Sequence, residues 1–356
     1  MSDQVNAKQI EDLLRQVNYP GFTRDIVAFG VVRNIEAEGS QVTIHLEFST
    51  KDTSISDKVR ADIEALLKKH GVRTVRVEAR HTSPQGAVST EMPKHDDLVP
   101  GVKNIIAVAS GKGGVGKSTV AANLAVALAS LGKKVGLLDA DIHGPSVAML
   151  LGLRDEPEPA EGMNKLKPME AWGIKAMSMG VLVDSNTPLV WRGPMISSAV
   201  EQLLRDVVWG ELDILVLDMP PGTGDIQLTV AQKVRLAGAV IVTTPQELAL
   251  IDARKGIAMF QKVEVPVLGL VENMSYFLCP DNGKRYEIFS SGGARREALR
   301  QRVPFLGEIP LEPRIRESAD AGRPAAASDG PAAEIFRAIA ESVLKGIEQR
   351  TEATQE

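Results

Sequence analysis

The sequence predicts a doubly wound α/β domain on a mostly parallel sheet, preceded by a small α+β domain. Three observations carry this. Short apolar runs at Asn104–Ala109, Lys134–Asp139, Asp213–Asp218, Ala237–Thr243 and Val265–Val271 alternate with helical segments, the pattern of strands buried on both faces and joined by helices. Ahead of them, residues 6–17 and 56–70 have helical periodicity while 26–36, 40–48 and 73–79 read as strands, giving an αββαβ unit. Between the two, the stretch from His81 to Lys103 carries three prolines, small residues and charges in place of any apolar period, as a linker does.

The expected domains are therefore 1–82, a linker at 83–103, a large domain at 104–345 and a polar tail at 346–356 that should fray. In the second helix of the small domain, Val59, Ile63, Leu66 and Leu67 fall at i, i+4, i+7 and i+8, one buried face. A chain of 356 residues is long enough for two such cores.

Composition narrows the function classes. With 44% hydrophobic and 24% charged residues the chain is ordinary globular material. It lacks the run of about 18 apolar residues that a membrane span needs, and the start MSDQVNAKQIEDLL has neither the basic end nor the apolar run of a signal peptide. A net charge of −5 argues against nucleic acid or acidic lipid as partner, since both bind through clustered Lys and Arg. The single cysteine, Cys279, excludes an intramolecular disulfide and fits a reducing compartment. A cytoplasmic protein is expected.

The run NIIAVA is followed at once by Ser110-Gly111-Lys112-Gly113-Gly114-Val115-Gly116-Lys117-Ser118-Thr119 and then by the helical VAANLAVALASLG. Strand, glycine-rich turn and helix start are the context of a P-loop. Glycines let backbone N–H groups converge on phosphate oxygens, and the helix terminus adds partial positive charge. Residues Gly111–Thr119 should therefore hold Mg-ATP, with Lys117 on the β- and γ-phosphates and Ser118 on Mg²⁺. Lys112 is a second lysine within the loop, and it needs negative charge nearby to offset repulsion from Lys117.

Two further strands end in acids. Gly136-Leu-Leu-Asp139-Ala-Asp141 and Asp213-Ile-Leu-Val-Leu-Asp218 bring carboxylates to the carboxyl ends of parallel strands, where such sheets bind nucleotides. Asp218 is Walker B-like, placed for Mg²⁺, and leads into Met219-Pro-Pro-Gly-Thr-Gly-Asp225, a candidate γ-phosphate switch. Asp139 reads either as a water-mediated support of Mg²⁺ or, with Asp141, as a cap on the segment that follows. Asn273, after Val271-Glu272, offers the donor and acceptor that an adenine edge needs, or is a plain turn residue.

The loop KGGVGKST resembles the deviant Walker A family shared by nitrogenase iron protein, MinD, ParA and the Mrp/ApbC iron–sulfur carriers. That resemblance implies an ATP-sandwich homodimer in which Lys112 reaches the partner's nucleotide, and it gives Asp141 the role of orienting the attacking water. Asp139–Ser146, Trp191–Pro194, Asp218–Asp225, Thr243–Gln246, Glu272–Phe277 and Ile309–Glu317 look like the strings of the Mrp/ApbC branch in particular. Residues 6–80 resemble the small domain fused in front of such carriers. The C-terminal AEIFRAIAESVLKGIEQRTEATQE is not the basic amphipathic helix of MinD-like proteins. The resemblance implies a slow ATPase that carries iron–sulfur clusters to apoprotein recipients.

Two departures bear on the cargo. Where the branch usually has C-x-x-C, this chain reads Cys279-Pro-Asp-Asn282. The small domain's loop, which often has a cysteine, reads Ser49-Thr-Lys-Asp-Thr-Ser54. Cys279 stands either as a cluster ligand contributed once per subunit or as a buried structural thiol. A metal-free, ATP-driven dimerisation switch acting on protein partners is the alternative function.

Overall fold

The structure is a computed structural model, and it describes residues 7–17, 25–27, 31–38, 41–48, 53–70, 72, 74–81, 98–142, 144–160, 165–178 and 193–355. The chain divides into two units, Met1–Lys94 and His95–Glu356. Most of the expected linker, residues 83–97, lies outside the described residues, and its last two residues, Val102 and Lys103, belong to a strand.

The first unit has α1 (Ala7–Leu14), β1 (Val32–Glu38), β2 (Gln41–Phe48), α2 (Thr53–Lys69) and β3 (Thr74–His81). Its sheet runs β1-β2-β3, the first pair antiparallel and the second parallel. Val42, Ile44 and Leu46 alternate inward from β2 and meet Val59, Ile63 and Leu67 of α2, the period-2 and period-3.6 faces that a two-layer core requires. The order αββαβ holds. The strand expected over 26–36 begins at Val32, since Ile26 and Val27 form a turn with Ile26 buried in the core instead.

The second unit holds an eight-stranded sheet. In chain order its elements are β4 (Val102–Ala109), α3 (Lys117–Ser130), β5 (Val135–Asp139), α4 (Val147–Leu151), β6 (Met169–Ala171), β7 (Ile174–Ser178), α5 (Gly193–Asp206) and β8 (Leu212–Asp218). Then come α6 (Asp225–Lys233), β9 (Gly238–Thr243), α7 (Glu247–Lys262), β10 (Val267–Glu272), the short pair β11 (Phe277–Leu278) and β12 (Arg285–Tyr286), α8 (Gly293–Gln301), β13 (Phe305–Glu308), α9 (Pro313–Asp320) and α10 (Pro331–Gln355). Strand order is β13-β10-β9-β4-β8-β5-β7-β6, parallel throughout except for the edge strand β6.

Both faces of this sheet are buried, which explains the unbroken apolar runs. Ile106 and Val108 of β4, Ile214 and Val216 of β8, and Val240 and Val242 of β9 point to one core with α3 and α10. Ile105, Ala107, Leu215, Leu217, Ala239 and Ile241 point to the other, with α5 and α7. Strand β4 sits between β8 and β9, so the connections leaving it and its neighbours diverge at its carboxyl end, opening a crevice there.

The tail beyond Lys345 does not fray as expected. It continues α10 to Gln355, because Ile347 is buried on the core side and Arg350 donates to the Val267 carbonyl. Glu348 and Gln349, two of the polar residues that suggested a tail, lie on the exposed side of this helix. Among the described residues no helix is long and apolar enough to cross a membrane.

Candidate nucleotide site and cysteine hairpin

The glycine loop leaves the end of β4 and delivers Lys117 as the first residue of α3. Gly114 and Gly116 have φ of 80° and 81°, conformations that side chains resist. Crowding also shapes the loop. A Cβ on Gly111 would lie 2.2 Å from the Asp252 carbonyl of α7, and one on Gly116 would lie 2.2 Å from Asn273 Nδ2. On Gly113 and Gly114 a Cβ would meet nothing within 4 Å, so the open side of the loop is the side that can receive a ligand.

Lys117 is 6% exposed, and its Nζ stands 2.5 Å from Asp218 Oδ1, 3.1 Å from Ser118 Oγ and 3.7 Å from Asp141 Oδ2. Three predicted site residues thus converge on one ammonium. Asp218 ends β8 with no exposed surface, and burial raises its carboxyl pKa against the lowering pull of the Lys117 charge. Asp218 Oδ2 and Asp141 Oδ1 are buried with no hydrogen-bond donor. Buried carboxylate oxygens left without donors, beside a serine hydroxyl, are the hard oxygen set that a magnesium ion takes. The residues fit Mg²⁺.

Asp139 is placed differently. Its Oδ1 accepts from the Asp141 amide at 3.0 Å, and its Oδ2 from the amides of Ser146 and Val147 and from Ser178 Oγ. Both oxygens hold the segment that enters α4, the contacts of the capping alternative. Burial and then the neighbouring Asp218 charge push the Asp139 carboxyl up to about 6, against those hydrogen bonds.

The loop after β8 is stitched to the phosphate loop. Gly222 N donates to the Ser110 carbonyl at 2.9 Å, and Gln227 Nε2 donates to the carbonyls of Pro220 and Pro221. Gln227, which sequence reasoning passed over, is a buried polar side chain on α6 that holds the proline turn. Lys112 is half-buried, with its carbonyl accepting from Ser110 Oγ. Asn273, buried at the end of β10, donates from Nδ2 to the Val115 carbonyl at 2.8 Å. That donor is engaged by the loop itself, while the amide oxygen remains the side of Asn273 available to a base.

Six residues on, Cys279 lies in the turn between β11 and β12, half-exposed. Its amide donates to the Lys284 carbonyl, its carbonyl accepts from Gly283 N, and Asn282 Oδ1 accepts from Lys284 N. Asn282 is therefore the residue that closes the turn. Leu278, Tyr286 and Ile288 are exposed around it. The buried-thiol alternative is excluded by position. Among the described residues no group of three or more His, Cys, Asp and Glu is arranged to hold a metal ion.

A parallel sheet with a glycine loop on its central strand, a buried lysine and two strand-end aspartates defines a P-loop NTPase. Comparison with known proteins extends this. The family described as NUBPL iron-transfer P-loop NTPase matches residues 101–344, and the iron–sulfur cluster assembly protein family matches residues 7–79. A protein of Deinococcus radiodurans named iron-sulfur cluster carrier protein is 47% identical over 341 residues, covering 95% of each chain. Among solved structures, a nucleotide-binding protein of Archaeoglobus fulgidus in complex with ADP is 41% identical, covers 68% of this chain and 94% of its own, and superposes with a TM-score of 0.58. The cell division ATPase MinD of Pyrococcus furiosus, 24% identical with a TM-score of 0.51 and covering 68% of this chain, shares the fold. The chain belongs to the NUBPL iron-transfer P-loop NTPase family, the group that includes Mrp and ApbC, with the iron–sulfur assembly domain in front.

Proposed function

We propose that this protein is an ATP-hydrolysing carrier that holds an iron–sulfur cluster between two copies of the chain and passes it to apoprotein recipients in the cytoplasm. The observation that carries the reading is Cys279, the chain's one thiol, half-exposed in a hairpin rooted at Asn273 beside the phosphate loop. The names of its relatives support the cargo.

On the nucleotide side, backbone amides of Gly111–Thr119 cradle the phosphates and Lys117 contacts the β- and γ-phosphates. Ser118, Asp218 and Asp141 would hold Mg²⁺, which when bound neutralises charge on those phosphates. Asp141 orients a water for attack on the γ-phosphorus, whose bond to the β–γ bridging oxygen breaks to leave ADP and phosphate. Lys112, at the loop's rim, contacts the nucleotide of the second copy. Asn273 supports the base through its amide oxygen.

An all-cysteine cluster takes four thiolates, and two copies supply two. The others come from small-molecule thiols, Asp281 or a recipient's cysteine, which makes the cluster easy to hand on. The test is anaerobic purification with iron and sulfide analysis. Stoichiometric iron in wild type and its loss in Cys279→Ala support the carrier; no iron in either leaves the metal-free dimerisation switch.

A further inference from the structure

Glu272 is the last residue of β10 and has no exposed surface. Its Oε1 accepts from Ser275 Oγ at 2.6 Å and from Gly292 N at 3.0 Å, and its Oε2 accepts from Ala294 N at 2.5 Å. Ser275 precedes the cysteine hairpin, whereas Gly292 and Ala294 follow it and open α8. One carboxylate therefore closes the whole segment 275–292 at its base. The start of a helix, with amide groups that lack intrahelical partners, is where an ionised carboxylate is held best without a cation.

The next residue is Asn273, which donates to the Val115 carbonyl of the phosphate loop. Two adjacent side chains at one strand end thus join the hairpin base and the nucleotide loop. Other braces are nearer the surface: Arg285 reaches Glu308 at 3.0 Å and lies 3.8 Å over the Tyr276 ring, and Arg295 also reaches Glu308. Those pairs face water and hold the hairpin weakly by comparison.

We propose that Glu272 is a positioning residue for the thiol: it fixes the Cys279 hairpin against the strand end that contacts the phosphate loop, and so sets how firmly cargo is held. Its relevance to cargo rests on the carrier reading above, but the closure can be tested without it. A glutamine at this position keeps the shape of the side chain yet turns an NH₂ group toward an N–H donor, leaving buried donors unmatched. The backbone ladder that places Asn273 is untouched, because Asn273 N donates to the Thr243 carbonyl and Ile309 N donates to the Glu272 carbonyl.

Cys279 is the only thiol in the chain, so alkylation of the full-length protein by iodoacetamide reports on the hairpin alone. Glu272→Gln should raise the alkylation rate about fivefold or more while changing affinity for an ATP analogue by less than about twofold. After anaerobic reconstitution the same variant should lose iron to a chelator several-fold faster than wild type. Ser275→Ala, which removes one of the three donors, should show a smaller rise in alkylation of about two- to threefold and decides the matter if Glu272→Gln does not accumulate. An unchanged alkylation rate overturns the proposal, and so does a rise that merely tracks loss of nucleotide binding, which signals general loosening. Should Cys279→Ala keep wild-type iron, the carrier reading fails while the alkylation rates still decide the role of Glu272.

Discussion

Lys117 and Asp218 form a buried pair, with Nζ 2.5 Å from Oδ1, 6% of the lysine side chain exposed and none of the aspartate. The lysine proposed as a phosphate ligand is thus also the counter-charge of a buried carboxylate. Lys117→Met should lower ATP affinity by at least about tenfold, and by stranding Asp218 should cost up to about 3–5 kcal/mol of stability. The double variant Lys117→Met, Asp218→Asn should regain most of that stability without regaining ATP. Urea unfolding and equilibrium nucleotide binding read the two effects separately, and recovery of binding in the double variant would contradict the assignment.

Asp141→Asn should bind ATP within about threefold of wild type yet hydrolyse it about a hundredfold more slowly, since orienting a water stabilises the transition state more than the bound nucleotide. Single-turnover kinetics give the rate. An unchanged rate removes Asp141 from the mechanism.

The phosphate loop should tolerate a methyl group on its open side and not on its packed side. Gly111→Ala drives a Cβ into the Asp252 backbone and should lower stability by about 1–3 kcal/mol. Gly113→Ala meets nothing and should change stability by less than about 0.5 kcal/mol. Thermal unfolding without nucleotide compares them, and equal losses would mean the loop does not rest on α7 as described.

Lys112→Ala should leave the fold and single-copy ATP binding in place and weaken association of two copies in the presence of a non-hydrolysable ATP analogue. Light scattering decides it. Association that ignores both nucleotide and Lys112 would count against the shared-nucleotide dimer.

Asn282→Cys restores the C-x-x-C spacing and should retain more iron than wild type after anaerobic reconstitution. It also removes the Asn282 side chain that accepts from Lys284 N, so the gain should come with a small loss of stability, about 0.5–1.5 kcal/mol. Iron retention no better than wild type would mean that the turn cannot present two thiolates.

The parts of this protein legible in the sequence are those whose cause is local. The phosphate loop reads directly because Gly114 and Gly116 must be glycine for backbone reasons and Lys117 follows them at the helix start. The apolar runs of β4, β8 and β9 read directly because both faces are buried. The edge strands β6 and β13 and the neighbouring β7 did not: all three are short, and β6 and β13 are only partly buried and lack an apolar run of their own. Asp139 could not be assigned from its neighbours, because its partner Ser178 is 39 residues away and joins it only through the pairing of β5 with β7. Glu272 was visible as an acid after an apolar strand, the same signal that marks Asp218. What separates them is the company at the strand end, a lysine for one and a helix start for the other.

The packing of α10 on α3 has a consequence for how the chain is made. The helix that begins at Lys117 is covered by α10, and Asn123 in its middle accepts a hydrogen bond from Ala326 N just upstream of α10. During synthesis the ribosome releases residues 117–130 long before residues 331–355, leaving Val120, Leu124 and Leu128 without their cover until α10 emerges. A ribosome-bound chain stalled before Pro331 should therefore present a sticky apolar helix to chaperones, and gain protease resistance only once α10 has cleared the exit tunnel.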